Sequence, residues 1–151
     1  MIEIKKATLT PEVVEELINL SALWVEENIS YGLVKNSKDD LKEPCYIALD
    51  HNEIVGYIFG HYYNNEKKIT IDNGVIPIGE KCFDIDELYI KKEYRHQGIG
   101  KKLYLEIEKE VKEETKFITL GTSTKDYKKI LHFYIDELDM TFHSAFIYKA
   151  L

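Results

Sequence analysis

The sequence predicts a mixed α/β (α+β) fold, a mostly antiparallel central sheet flanked by about four helices. Segments of strand length alternate along the chain with amphipathic segments of helical period. The longest strand-like run, Ile54 to Tyr63, is apolar on both faces, as a strand inside a sheet is. Short turn signals separate the segments, and no repeat or low-complexity linker divides them. At 151 residues, 44% hydrophobic and 12% aromatic, the chain reads as one domain, 1–151. A chain of that size buries roughly 70% of its unfolded surface.

The elements follow in order. Ile2 to Lys5 alternates as a short strand. Thr10 precedes Pro11, an N-cap and first-turn pair, and Val13, Val14, Leu17, Ile18 and Leu20 recur at helical spacing. Leu23 to Ile29, which carries Trp24, Glu26 and Glu27, reads as a second helix. After a polar run from Lys35 to Glu43, the turn Asp50-His51-Asn52-Glu53 joins strands Cys45–Leu49 and Ile54–Tyr63 in a hairpin. Asn64 to Glu80, with Asn73-Gly74 and Pro77, reads as a connecting loop with a minor hairpin. Phe83 and Ile85 then alternate with Asp84 and Asp86, but the next apolar residues are Leu88 and Ile90, so the phase inverts. A period-2 strand inverts only by gaining a residue, which predicts a β-bulge near Asp86–Glu87. A loop from Lys91 to Gln97 leads into an amphipathic helix with Leu103, Ile107 and Val111 on one face. Phe117–Leu120 is a strand, Lys128–Tyr134 a short helix and Met140–Lys149 a last strand. The order is β-α-α-β-β-β-α-β-α-β.

Composition excludes several functions. A net charge of −7 argues against broad nucleic-acid binding. No apolar run approaches the ~18 residues of a membrane span, and the opening MIEIKK lacks a signal-peptide core, so a cytoplasmic protein without a membrane partner is expected. Cys45 and Cys82 form neither a disulfide framework nor a zinc site, and read as buried thiols. The five histidines show no ligand spacing, so no metal is expected; His61, His132 and His143 read as structural.

The string that carries chemistry is Arg95-His96-Gln97-Gly98-Ile99-Gly100, between a strand and an amphipathic helix. Its glycines permit a tight turn and close backbone approach to a ligand. Free N–H groups at a helix start, with the positive end of the helix dipole, suit a pyrophosphate. The stretch Lys91 to Lys102 carries a net +4, leaving −11 for the rest of the chain. A Walker A loop and a dinucleotide fingerprint both fail on spacing.

With this motif the sequence resembles the GNAT superfamily of acetyl-CoA-dependent N-acetyltransferases. Arg95, Gly98 and Gly100 match the family's Arg/Gln-x-x-Gly-x-Gly/Ala motif, and IDELYIKKEYR resembles its bulged fourth strand. The resemblance implies a sheet splayed after that strand. It also implies acetyl-CoA as acyl-donor cosubstrate, its pyrophosphate on the backbone from Arg95 through His96, Gln97, Gly98, Ile99 and Gly100 to Lys101. The pantetheine arm would pair with Leu88, Tyr89 and Ile90. Phe133-Tyr134 followed by Leu138-Asp139-Met140 resembles the family's Phe-Tyr-x-x-x-Gly-Phe pattern, whose tyrosine often protonates the departing thiolate. Here the Gly-Phe pair is replaced by Asp139-Met140 with one extra residue before it, and Tyr127 stands where the family often has Asn.

Acetyl transfer needs a neutral amine, and a primary amine of pKa ~10.4 is about 0.1% neutral near pH 7.4. Asp86, Glu87 and Asp84 around the bulge are base candidates in that order, Asp86 because polyamine-acetylating relatives carry an acid there; Asp84 also reads as acceptor-binding. Tyr134 is the candidate acid, and a backbone N–H freed by the bulge could polarise the thioester. Trp24, Glu26, Glu27, Tyr31, Asp39 and Asp40 offer aromatic and acidic groups for a cationic amine. The segments LINLSALWVEEN and FITLGT resemble aminoglycoside N-acetyltransferases. The expected activity is acetylation of a small cationic amine, polyamine- or aminoglycoside-like. The alternatives are a peptide or protein amine as acceptor, and a non-catalytic acyl-CoA-binding module. With room after Met140 for one strand only, the sheet ends in an open edge, which points to a homodimer.

Overall fold

The computed structural model describes all residues from Met1 to Leu151. Five strands form the main sheet in the order β1-β2-β3-β6-β7: β1 (Ile2–Lys6), β2 (Cys45–Asp50), β3 (Glu53–Asn64), β6 (Lys81–Ile90) and β7 (Ile118–Thr119). The first four pair antiparallel, and β7 joins β6 in parallel. β4 (Ile69–Ile71) and β5 (Gly74–Ile76) form the minor hairpin expected in the connecting loop. Between β2 and β3, His51 and Asn52 both take positive φ, as a two-residue hairpin turn requires.

α1 (Pro11–Glu27) packs on one face of the sheet and α2 (Ile99–Val111) on the other. The two helices expected before β2 are one. No Gly or Pro interrupts the segment, and the mid-helix Ser21 hydroxyl donates to Ile18 O at 2.7 Å, so the helix runs on to the left-handed cap Asn28. Leu17 and Leu20 of α1 cluster with Ile47, Tyr57 and Phe59 of the sheet; Leu103 and Ile107 of α2 cluster with Val55, Ile58 and Phe83. α3 (Tyr127–Leu131) continues as a π-helical stretch, His132–Glu137. The C-terminal strand expected over Met140–Lys149 is absent. β7 is only two residues long, beyond it the chain bridges to Ser30 through Thr124, and the segment after Met140 pairs with no strand.

The bulge lies at Asp86. Phe59 faces Glu87 and Gly60 faces Ile85, which leaves Asp86 as the residue without a counterpart. Phe83, Ile85, Leu88 and Ile90 therefore point toward α2. Asp84, Asp86, Glu87 and Tyr89 point toward α1. Gly60 permits this crossing, since a Cβ there would meet Asp84 O at 2.1 Å and the Phe83 ring at 2.8 Å. We predict that Gly60→Ala costs at least about 2 kcal/mol, lowering the urea midpoint at unchanged slope. Wild-type stability in this variant would show that the two strands do not need that approach.

Candidate active site

The site is built where β6 parts from β7. Their pairing is confined to Phe83 with Ile118 and Asp84 with Thr119. From Ile85 to Ile90 the edge of β6 turned away from β3 has no strand partner. That edge includes Leu88, Tyr89 and Ile90.

The loop that follows has the makings of an anion site. His96 and Gly98 take positive φ, 61° and 76°, and Gly98 is the N-cap of α2. The first bond of the helix is Lys102 N–H to Gly98 O at 3.1 Å, and none of the backbone N–H groups from His96 through Lys101 donates within the chain. Those include the unpaired donors of any helix start. The two glycines differ in purpose. A Cβ on Gly98 would enter open space, whereas one on Gly100 would meet Phe133 Cζ at 3.3 Å, so Gly100 lets the π-helical stretch seat against α2.

Not all of the loop's positive charge faces outward. Arg95 donates from both terminal nitrogens to Glu27 at 2.7 Å and from Nε to Ile90 O at 2.9 Å. Its guanidinium lies over the Tyr89 ring, which stacks on Trp24 at 5.3 Å, and the Tyr89 hydroxyl donates to Glu27 at 2.7 Å. Trp24 and Glu27 thus tie α1 to the exit of β6. Glu26 and Glu27 line a cavity of ≈ 250 Å³ with Leu23, Tyr89 and Lys91 to Glu93. Lys91 pairs with Glu53, and no salt bridge engages Lys92, Lys101 or Lys102.

At the bulge the carboxylates separate by environment. Glu87 accepts from Tyr57 at 2.6 Å and from Asn36 Nδ2 at 2.9 Å, and burial raises its pKa against both bonds. Asp84 is also raised by burial, against the 2.7 Å bond from Thr119, whose oxygen accepts from Tyr63 at 2.9 Å. Asp86 accepts from His61 Nδ1 at 2.8 Å and meets Lys42 Nζ at 3.4 Å. Tyr134 is half-buried and stacks edge-on with Phe133, and burial pushes its pKa up to about 12. It therefore stays protonated at neutral pH. Tyr31 is exposed at the rim with Lys125 over its ring, and Asp40 closes a capping box with Ser37, next to Asp39.

Sequence reasoning did not find Tyr57, Asn36, Thr119 or Lys42, and it read His61 as structural. Their recruitment depends on strand register and on where the polar run after α1 crosses the sheet. Cys45 and Cys82 are free and buried, and burial raises both thiols, Cys45 to about 12. His132 binds Asp136 at 2.7 Å on an exposed surface, and His143 donates to Thr70 O at 3.0 Å.

A strand that bulges and parts from its neighbour is followed here by a helix start with open N–H groups. The acetyltransferase (GNAT) family model matches residues 12–138, and the chain belongs to that family. Solved structures agree in fold. An aminoglycoside acetyltransferase from an uncultured soil metagenomic sample, crystallised with trehalose, is 19% identical, with TM-score 0.65 over 99% of this chain and 96% of that one. AAC(6')-Iy, in complex with the bisubstrate analogue CoA-S-monomethyl-acetylneamine, is 10% identical, with TM-score 0.65 over 100% and 98%. The ribosomal-protein-alanine N-acetyltransferase of Brucella melitensis biovar Abortus 2308 is 15% identical, with TM-score 0.63 over 99% of each chain. No curated protein matches the sequence. No helix is long and apolar enough to cross a membrane.

Burial would raise the Glu27 pKa, but the bonds from Arg95 and Tyr89 outweigh it and hold the group below the usual range. A lowered carboxylate adds stability above its unfolded pKa and loses it as pH falls through the folded one. Glu27→Gln should therefore cost about 1–3 kcal/mol at pH 7 and flatten part of the acid limb of a stability–pH curve. An unchanged limb would deny the pair that role. Raised Asp84 and Glu87 act with the opposite sign, their cost as buried anions fading as pH falls through their raised values.

Proposed function

We propose that the protein moves the acetyl group of acetyl-CoA to a primary amine of a small cationic acceptor, polyamine- or aminoglycoside-like, by direct attack in a ternary complex. One observation carries the donor half of this reading: the unpartnered N–H groups from His96 to Lys101, flanked by Lys92, Lys101 and Lys102. Such an array suits a pyrophosphate, and the dipole of α2 adds to it. The open edge at Leu88, Tyr89 and Ile90 suits the amide-bearing pantetheine arm, for which sheet edges are natural partners. Bound there, acetyl-CoA would supply the activated acetyl thioester.

The acceptor half rests on charge. Asp84, Asp86 and Glu87 share one face at the bulge, so an ammonium group entering beside the thioester meets carboxylates. Tyr31 and Asp84 are the further acceptor contacts of this reading. Tyr134, held protonated by burial, is the proton donor to the leaving sulfur. Aminoglycoside acetyltransferases among the structural neighbours support a small polycationic acceptor.

We also propose that two copies associate. Phe142, Phe146, Ile147, Tyr148 and Leu151 all lie exposed on the segment that fails to form a strand, Phe146 at 92% and Ile147 at 88%. A strand-patterned, apolar segment left unpaired would be completed by pairing with a second copy. Light scattering should give twice the chain mass at micromolar concentration; a monomer would remove this proposal.

Coenzyme A release, followed with acetyl-CoA and a panel of polyamines, aminoglycosides and peptides, tests the reaction. Turnover is expected on the small polyamines or aminoglycosides. Turnover on peptides alone would move the acceptor class, and tight acetyl-CoA binding without turnover would make the chain a binding module. Gly98→Val should weaken acetyl-CoA at least about tenfold in calorimetry while the chain stays folded, because a β-branched residue does not hold the left-handed turn, φ 76°, that opens α2. Equal affinity would count against the loop. Tyr134→Phe should lower kcat about 10²-fold with unchanged acetyl-CoA affinity; an unchanged kcat would deny Tyr134 the acid role.

A further inference from the structure

We infer that the proton acceptor for the incoming amine is His61, oriented by Asp86. This rests on the acetyl-transfer reading above and changes which residue holds the proton. His61 sits on β3 directly across from Asp84, on the face of the sheet that α1 covers, where β6 and β7 part. Its Nδ1 lies 2.8 and 3.0 Å from the two oxygens of Asp86, the bulged residue. A carboxylate only accepts hydrogen bonds, so Nδ1 keeps its proton whether the ring is neutral or charged. The atom that gains and loses a proton is therefore Nε2. No hydrogen bond within the chain engages Nε2, and the side chain is 37% exposed.

The other carboxylates at the bulge are engaged differently. Glu87 is committed to Tyr57 and Asn36, and Asp84 to Thr119. Asp86 itself is held between His61 and Lys42, so its charge is used to orient and stabilise an imidazolium. Asp86 shares the face of Asp84 and His61 through the ordinary two-residue period of the strand, and the extra residue in β6 adds Glu87 to that face. Asp86 is accordingly a positioning residue, and His61 the group that meets the substrate.

The proton balance closes. An ammonium acceptor gives one proton to His61 Nε2, which passes it to solvent. The neutral nitrogen attacks the thioester carbonyl, forming the C–N bond. As the adduct collapses and the C–S bond breaks, Tyr134 protonates the sulfur, and the second proton lost by nitrogen restores Tyr134 through solvent. One proton is released per amide formed. The charged and titratable groups around His61 are Asp84 and Asp86 from β6, Tyr63 from its own strand, and Lys42 from the segment before β2, which reaches it through Asp86.

Two measurements test the assignment. In the free protein, imidazole ¹⁵N shifts of neutral His61 should report the Nδ1–H tautomer, whatever the acceptor proves to be; an Nε2–H tautomer overturns the proposal. In turnover, kcat/KM should rise with pH as the imidazolium loses its proton. His61→Gln should abolish that rise and lower kcat at least about 10²-fold, with acetyl-CoA affinity and melting temperature kept. Asp86→Asn should lower kcat and let the Nε2–H tautomer of His61 appear in the ¹⁵N shifts, with acetyl-CoA affinity kept, because no carboxylate then fixes the proton on Nδ1. A His61→Gln enzyme with the full rate and the same inflection would return the role to Asp86. Loss of acetyl-CoA binding or of all turnover in the wild type would instead undo the underlying acetyl-transfer reading, which separates the two failures.

Discussion

One extra residue in β6 organises the molecule. A bulge leaves a residue unpaired, bends its strand and increases the local twist. Here it inverts the strand's phase at Asp86, so that apolar residues continue to fill the α2 side while acids gather on the α1 side. The same strand then runs on past Asp84 without β7 beside it. Gly60 is the partner of this arrangement, bringing its backbone against that of Asp84 where any side chain would collide. An opening in the sheet and a polar face beside it thus share one local origin.

Downstream, charge is divided between structure and recognition. Arg95 matches the family motif, yet its side chain is tied to Glu27 and to Ile90 O, where it joins α1 to the strand exit. The groups left without a partner, and so open to an anion, are the backbone N–H groups from His96 to Lys101 and the side chains of Lys92, Lys101 and Lys102. Backbone donors keep their partial charge at every pH and are fixed by the left-handed turns at His96 and Gly98. In the proposed reading, a basic loop on an acidic body would recognise anions largely through geometry.

Much of this was legible in the sequence because it was local. The phase change between Ile85 and Leu88 located the bulge, the glycine string located the start of α2, and Thr10-Pro11 located the start of α1. What depended on tertiary register was not legible. Nothing near His61 in sequence announces Asp86, since only the pairing of β3 with β6 brings them together. The break expected before Leu23 does not occur, because Ser21 satisfies its hydroxyl within the helix. Met140 to Lys149 has the pattern of a strand but pairs with no other, and a strand exists only where a neighbour completes its hydrogen bonds.

The central claim is that the free N–H groups after the bulged strand receive the acyl donor. Amide hydrogen exchange across the chain, with and without saturating acetyl-CoA, tests it at the atoms concerned. The N–H groups from His96 to Lys101 should exchange fast in the free protein and become protected with the ligand, together with the open edge of Leu88 to Ile90. Slow exchange at that loop in the free protein, or ligand protection confined to other parts of the chain, would contradict it.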